Sequence, residues 1–350
     1  MIQVDYIIVG QGLAGTLLAL RLMDEGQKVL IIDKNTEGAS SKIAAGVINP
    51  VTGRRIVKSW RIDEMLPFAQ KTYQRIESQY NIDIFKNYTI LRTFKNAADE
   101  NEWLLRSNWE EYRVYCANQA DPSVFDMKIK SFYGFGEIQQ SAQVDMPFLI
   151  DFFQKKWSAD GILIHEAFDY DALILNENSN QYKNHEAAKI IFCEGAKGVE
   201  NTFFRGLPFN IDKGELLIVK IPNAGFNKIF KNNISIVPLK EKDCYWVGAT
   251  NEWNSPNDLP TEAKKQLIIN ELQEILKIPF EVIDHKAAFR PTVKDRRPLI
   301  GFHPMYPQLV IFNGFGTKGA SLIPYWSNHL VEVLLGQIEL DKDVTIKRFL

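Results

Sequence analysis

The chain is short of several things that would narrow its function at once. It has three cysteines, Cys116, Cys193 and Cys244, far apart and odd in number. No pair has the close spacing of a zinc site or a redox motif, so free buried thiols in a reducing compartment are expected. An excess of charge is missing too: 41 basic residues face 43 acidic ones, for a net charge of −2. A protein built mainly to hold nucleic acid usually carries a clear basic excess; local patches can still escape a whole-chain count. Five histidines, His165, His185, His285, His303 and His329, lie scattered without ligand spacing; no metal is expected and none of them is given a catalytic role. There are no repeats, low-complexity tracts or Pro/Gly-rich linkers. The longest apolar stretch, Tyr6 to Met23, is broken by Gln11, three glycines and Arg21, whereas a membrane span needs about 20 apolar residues. Asp5 stands where a signal peptide would carry basic residues. The expectation is a cytoplasmic protein with no membrane partner.

What is present is ordinary for a folded protein: 45% hydrophobic, 12% aromatic and 24% charged residues. At about 100–200 residues per domain, the length suggests two or three domains. Val4–Val9 is a short β-branched run that reads as a buried strand, Leu13–Met23 carries apolar residues on a helical period, and Lys28–Asp33 is a second buried strand. Together they make a βαβ unit with parallel strands. Helices are further expected over Asp63–Gln79, Asp99–Tyr115, Met146–Ala159, Thr261–Leu276 and Gly319–Leu335. Strands are expected at Tyr88–Phe94, Ile162–His165, Tyr170–Leu175, Ala188–Cys193, Lys286–Phe289 and Leu309–Phe312. Between Glu215 and Ala249 the pattern changes to alternating strands with turns, as in an antiparallel sheet.

The sharpest motif is Gly10-Gln11-Gly12-Leu13-Ala14-Gly15, between the first strand and the first helix, with Asp33 ending the second strand. Each part has a mechanical reason. Gly10 permits a tight turn, Gly12 lets a pyrophosphate approach the backbone, and Gly15 lets the helix press on the strand. The N–H groups of the first helical turn then face the phosphates, and Asp33 can accept from a ribose diol. This pattern alone does not separate FAD from NAD. A second strand, turn and helix closes the chain: Leu309–Phe312 runs into Asn313-Gly314-Phe315-Gly316-Thr317-Lys318-Gly319 and an apolar helix. Such a helix start favours developing negative charge, and Lys318 could add to it; a plain helix cap with a solvated lysine reads equally well.

In this order the segments resemble the FAD-dependent oxidoreductases of the D-amino-acid oxidase superfamily, which includes glycine oxidase and sarcosine oxidase. The resemblance rests on VGQGLAG with Asp33, SSKIAAG at Ser40–Gly46, CEGA at Cys193–Ala196, DKGELL at Asp212–Leu217, VGAT at Val247–Thr250, FRPTVKDRRPLIG at Phe289–Gly301, and GFGTKG with its helix. It implies an α/β (overall α+β) protein in which a Rossmann-type FAD-binding domain is interleaved with an antiparallel-sheet substrate domain. The expected FAD-binding segments are 1–85, 145–205 and 286–350, and the substrate-domain segments 86–144 and 206–285. The resemblance further implies noncovalent FAD, because no cysteine lies where sarcosine oxidase attaches its flavin. Its contacts would be Gly10, Gly12, Leu13, Ala14, Gly15, Asp33 and Lys34 along the first βα turn, then Ser41, Lys42, Ala45, Gly46 and Val47. Phe168 would lie near the adenine, followed by Gly195 and finally Gly314, Gly316, Thr317, Lys318 and Gly319 at the flavin. Arg290 matches an arginine that grips a substrate carboxylate, and a guanidinium forks onto a carboxylate well; the alternative is a structural salt bridge, with Asp295 a candidate partner. Arg290 and Lys318 are thus the expected catalytic pair.

Two features depart from the family pattern. Glu194 replaces a small residue before Gly195, and Ile236 is expected where glycine oxidase has a pocket tyrosine. The implied activity is oxidation of an amine or amino acid at its C–N bond, with oxygen or another acceptor taking the electrons. Thr52-Gly-Arg54-Arg55-Ile-Val-Lys58-Ser-Trp60-Arg61 is locally basic. It resembles the matching region of the oxidoreductase half of a bifunctional enzyme that modifies the wobble uridine of tRNA. An anionic substrate, an RNA partner and a solvated surface all stay open for it, as does a protein that holds FAD without turnover.

Overall fold

The computed structural model describes residues 1–36, 38–53, 55–176 and 179–350. Its helices are α1 (Leu13–Asp24), α2 (Ser40–Ile43), α3 (Ile62–Tyr80), α4 (Ala97–Ser107), α5 (Met146–Ala159), α6 (Glu262–Ile275) and α7 (Gly319–Leu334). Among the described residues no helix is long and apolar enough to cross a membrane. The chain divides into two compact units, one of residues 1–44, 146–212 and 289–350, the other of residues 45–145 and 213–288. Both are discontinuous. Residues 45–85, assigned from sequence to the cofactor-binding segments, fall in the second unit: Val47–Ile48 pairs with the Gly134–Val144 strand and α3 packs on Phe85–Phe94.

The first unit is built on a sheet in the spatial order 299–302, 309–313, 185–192, 2–9, 29–32 and 163–164. Along this path all neighbours are parallel except the first pair; 180–182 adds an antiparallel partner to 185–192 and pairs in turn with 173–175. Ile7, Ile8, Ile190 and Ile191 are fully buried, as expected of strands covered on both faces. Each such side chain contributes about 1.5–3 kcal/mol over an exposed one. The register sets Val9 beside Ile32 and Phe192, so Gly10, Asp33 and Cys193 leave neighbouring strand ends. In a parallel sheet that is where ligands bind. The last strand, 309–313, lies beside 185–192, and α7 packs on α1, where Arg21 Nε donates to Asn328 Oδ1 at 2.7 Å. First strand and last helix therefore serve one unit.

The second unit holds a larger sheet, ordered 252–253, 212–220, 244–248, 235–238, 229–231, 85–94, 134–144 and 47–48, with 281–290 beside 212–220. It is mainly antiparallel, but 229–231 runs parallel to 85–94. Leu91, Leu217, Phe230, Ile236 and Val247 form a core with Phe125 and with Ile268, Leu272 and Ile275 of α6.

Several sequence expectations are corrected. The strand Gly134–Val144, GFGEIQQSAQV, is missed because two glycines and a polar run hide its alternation. Expected helix 99–115 ends at Ser107, followed by a short 3-10 turn at Glu110–Tyr112. Tyr170–Ala172 is likewise a 3-10 turn, with only Leu173–Leu175 extended. Ile236 sits in the core under α6, so it lines no pocket on the other face of its sheet.

Candidate active site

Two of the fingerprint glycines, Gly10 and Gly15, are needed for close backbone contact. A Cβ on Gly10, whose φ is +102°, would stand 2.5 Å from the Cys193 carbonyl oxygen, and one on Gly15 would stand 1.9 Å from the Gly10 carbonyl oxygen. Strand, turn and helix are thus pressed together with no room for a side chain. Gly12 is the N-cap of α1, no side chain caps it, and the first turn carries no acidic residue. The positive end of the helix is therefore left for an external anion. Ser41 takes one amide, accepting from Leu13 N at 3.1 Å. Asp33 is aimed by two backbone donors, Gln11 N at 2.8 Å and Asn35 N at 2.6 Å. Lys42 donates to the Asn35 side chain, while Lys34 is exposed.

The first unit brings the second glycine turn to the same sheet. Asn313 Nδ2 donates to the Gly195 carbonyl at 2.9 Å, so the turn after 309–313 is tied to the turn after 185–192. Gly314 and Gly316 both have positive φ. Gly316 N donates to the Pro291 carbonyl at 3.1 Å, which fastens the Arg290 segment to the turn. Thr317 is exposed and Gly319 opens α7. Helix α7 again starts without a side-chain cap and without acid in its first turn. Burial, with the positive charge of Arg296 alongside, pulls the Lys318 ammonium down to about 8. It stands at the N-cap of α7, next to the helix N-terminus.

Arg290 does not pair with Asp295. Asp295 accepts from Arg348 Nε at 2.9 Å, and the Arg290 Nη1 faces Asp212 Oδ2. The Asp212 side chain is 4% exposed and that of Arg290 16%. Phe168 stacks on Tyr182, centroids 4.5 Å apart and planes 12° from parallel, within an aromatic cluster that includes Tyr170 and Phe192. The Glu194 carboxylate accepts from the Tyr170 hydroxyl and, at 2.7 Å, from Asn201 Nδ2; burial pushes its pKa up against these two bonds. Ala45, Gly46 and Val47 belong to the other unit. There a Cβ on Gly46 would meet the Val144 carbonyl oxygen at 1.8 Å, reason enough for that glycine.

In the basic segment Lys58 pairs with Asp63 and Arg61 with Glu64, each at 2.6 Å, so two of its charges are already matched. Arg54 lies outside the described residues. Sequence reasoning passed over two groups. Gln11 is buried and donates to the Ile150 carbonyl at 3.1 Å, while its Oε1 has no partner among the described residues. Asp212, 78 positions from its arginine, opens the DKGELL motif, but nothing in that motif names its partner.

These residues fit FAD. The uncapped start of α1 with its two clash-enforcing glycines suits a pyrophosphate, Asp33 a ribose, and the start of α7 with Lys318 the electron-rich end of a flavin.

Comparison with known proteins agrees. The family described as DAO, FAD dependent oxidoreductase, matches residues 5–333. An uncharacterized oxidoreductase, YurR of Bacillus subtilis (strain 168), is 22% identical, with 96% of each chain covered. Among solved structures, glycine oxidase from Bacillus cereus ATCC 14579 superposes with a TM-score of 0.81 at 20% identity, over 96% of both chains. Iminodiacetate oxidase from Chelativorans sp. BNC1 gives 0.81 at 20% identity, over 97% of this chain and 99% of the other.

Proposed function

The chain belongs to the DAO family of FAD-dependent oxidoreductases, and on that premise we propose that it oxidises a carboxylate-bearing amine at its C–N bond. Bound FAD, held noncovalently, supplies the acceptor for a hydride leaving the carbon next to nitrogen. The amine must be neutral, so that its lone pair forms the C=N bond as the hydride departs; the proton on nitrogen goes to solvent. Water then adds to the imine and releases a carbonyl compound and the nitrogen fragment.

The chain's part is orientation and charge. The observation that carries this reading is the fastening of the Arg290 segment to the second glycine turn through Gly316 N and the Pro291 carbonyl, 3.1 Å apart. It places a guanidinium in the segment beside the turn that carries Lys318. Arg290 would take the substrate carboxylate with its fork, and Asp212 would hold that fork in place. Lys318 and the start of α7 would stabilise negative charge arriving at the cofactor. Glycine and iminodiacetate, the substrates in the names of two structural neighbours, are both amines with carboxylates. The ion pairs of Lys58 and Arg61 give no support to an RNA partner.

The test is anaerobic bleaching of the visible flavin band by a panel of amines, each matched with the α-hydroxy acid of the same skeleton. Bleaching by amines is the expected result. Bleaching by the hydroxy acids alone would overturn the proposal.

A further inference from the structure

The second unit contains a pair of cations that the proposed chemistry leaves unused. Strand 229–231 runs parallel to 85–94 with Ile229 beside Ile90, Phe230 beside Leu91 and Lys231 beside Arg92. Phe230 and Leu91 point into the core under α6. Successive strand residues face opposite ways, so Lys231 and Arg92 stand together on the other face. Ser235 lies across from Lys231, and Gly136 across from Arg92. Arg92 is anchored, its Nη1 donating to the Gly53 carbonyl at 2.6 Å. Lys231, by contrast, has no hydrogen-bonded or ionic partner among the described residues.

The electrostatics of this face are one-sided. Burial, with Arg92 acting in the same direction, draws the Lys231 ammonium down to about 8. Burial also lowers the pKa of Arg92, opposed by Asp99 and Cys116. Asp99, whose charge acts on Arg92, lies in the first turn of α4, where it accepts from Lys95 N at 3.1 Å. Two recessed like charges on neighbouring strands repel, and an anion lodged between them would remove that repulsion and supply the missing partner.

We propose that Lys231 and Arg92 form an anion subsite of the second unit, with Ser235 as an added hydroxyl donor, and that its ligand is a carboxylate. An ammonium and a guanidinium side by side offer a point charge and a planar fork to the two oxygens of one acid group. The ligand is a small organic acid, and the assignment is confined to the second unit, independent of the role proposed for Arg290.

The experiment uses FAD-loaded wild type, Lys231→Met and Lys231→Arg, melted in malonate, acetate or chloride at matched ionic strength. Malonate should raise the melting temperature of the wild type. Its apparent dissociation constant should weaken at least tenfold in Lys231→Met and recover in Lys231→Arg. Lys231→Gln carries the same comparison if the methionine variant yields no FAD-loaded protein. An equal malonate response in wild type and Lys231→Met, or no response in the wild type, overturns the subsite. If no amine bleaches the flavin but malonate still depends on Lys231, the amine reading fails and the subsite stands. If amines bleach it and malonate is indifferent to Lys231, the subsite fails alone.

Discussion

Replacing Gly15 by alanine should separate the cofactor site from the rest of the fold. The new methyl would lie 1.9 Å from the Gly10 carbonyl oxygen, and Gly10 itself is confined by the Cys193 carbonyl oxygen, 2.5 Å from where its own Cβ would be. To reach ordinary contact, α1 and the first strand must part by about 1.5 Å. No flexible side chain is available to absorb this, because the groups in the way are backbone. Overpacking of this kind costs about 1–3 kcal/mol. The motion displaces the first-turn amides, the proposed hold on the FAD pyrophosphate, so the cost should appear in cofactor affinity. At 1.4 kcal/mol per tenfold, the FAD dissociation constant should rise about 5- to 150-fold. Gly26→Ala is the control. Its φ is +74° and nothing lies within 4 Å of its Cβ position, so it should lose about 1–2 kcal/mol of stability and no FAD affinity. Titrating apoprotein with FAD by flavin fluorescence, with thermal melts beside it, reads both quantities. A Gly15→Ala protein that binds FAD within twofold of wild type would refute the reasoning.

Three further outcomes are expected. Arg290→Ala removes the guanidinium opposite the buried Asp212 and should cost about 3–5 kcal/mol as well as raising KM for carboxylated amines; the Asp212→Asn, Arg290→Ala double variant should regain stability in melts but not KM. Glu215 is fully buried and accepts from Thr261 N at 2.8 Å and faces Lys213 Nζ at 3.1 Å, so Glu215→Ala should likewise cost about 3–5 kcal/mol, read as a lower denaturant midpoint. Lys318 titrates near 8 in the folded chain instead of 10.5. The unfolded state therefore holds a proton that the folded state has released between those values, and stability of the apoprotein should rise with pH across that window. Lys231 shares this behaviour, so Lys318→Met should shrink the slope of stability against pH without abolishing it.

The parts of the protein that were legible in sequence are those whose causes are local. Gly10 and Gly15 are explained by backbone atoms within a few residues or one strand away, and the βαβ pattern around them is a matter of period and length. The turn at Gly314–Gly319 was legible for the same reason. Partnership across long loops was not. Arg290 was offered Asp295, five positions on, yet it pairs with Asp212, because strands 212–220 and 281–290 are neighbours in the second sheet. Lys231 and Arg92 meet only through a parallel register between strands far apart in the chain. The Gly134–Val144 strand was hidden because Gly136 is shaped by Trp103, whose ring would be 2.6 Å from a Cβ there, and not by any alternation of its own. Likeness to glycine oxidase sets Ile236 at a pocket position, but a side chain's face depends on strand phase, which a single residue does not reveal, and Ile236 faces the core.

The central claim is that a hydride leaves the carbon bearing nitrogen while Arg290 holds the substrate's carboxylate. The most direct measurement is anaerobic rapid mixing of the FAD-loaded protein with the most active amine and with its α-deuterated form, following the loss of the visible flavin band. The account predicts bleaching that is several-fold slower with deuterium at that carbon. Equal rates for the two forms, or no bleaching by any carboxylate-bearing amine, would contradict it.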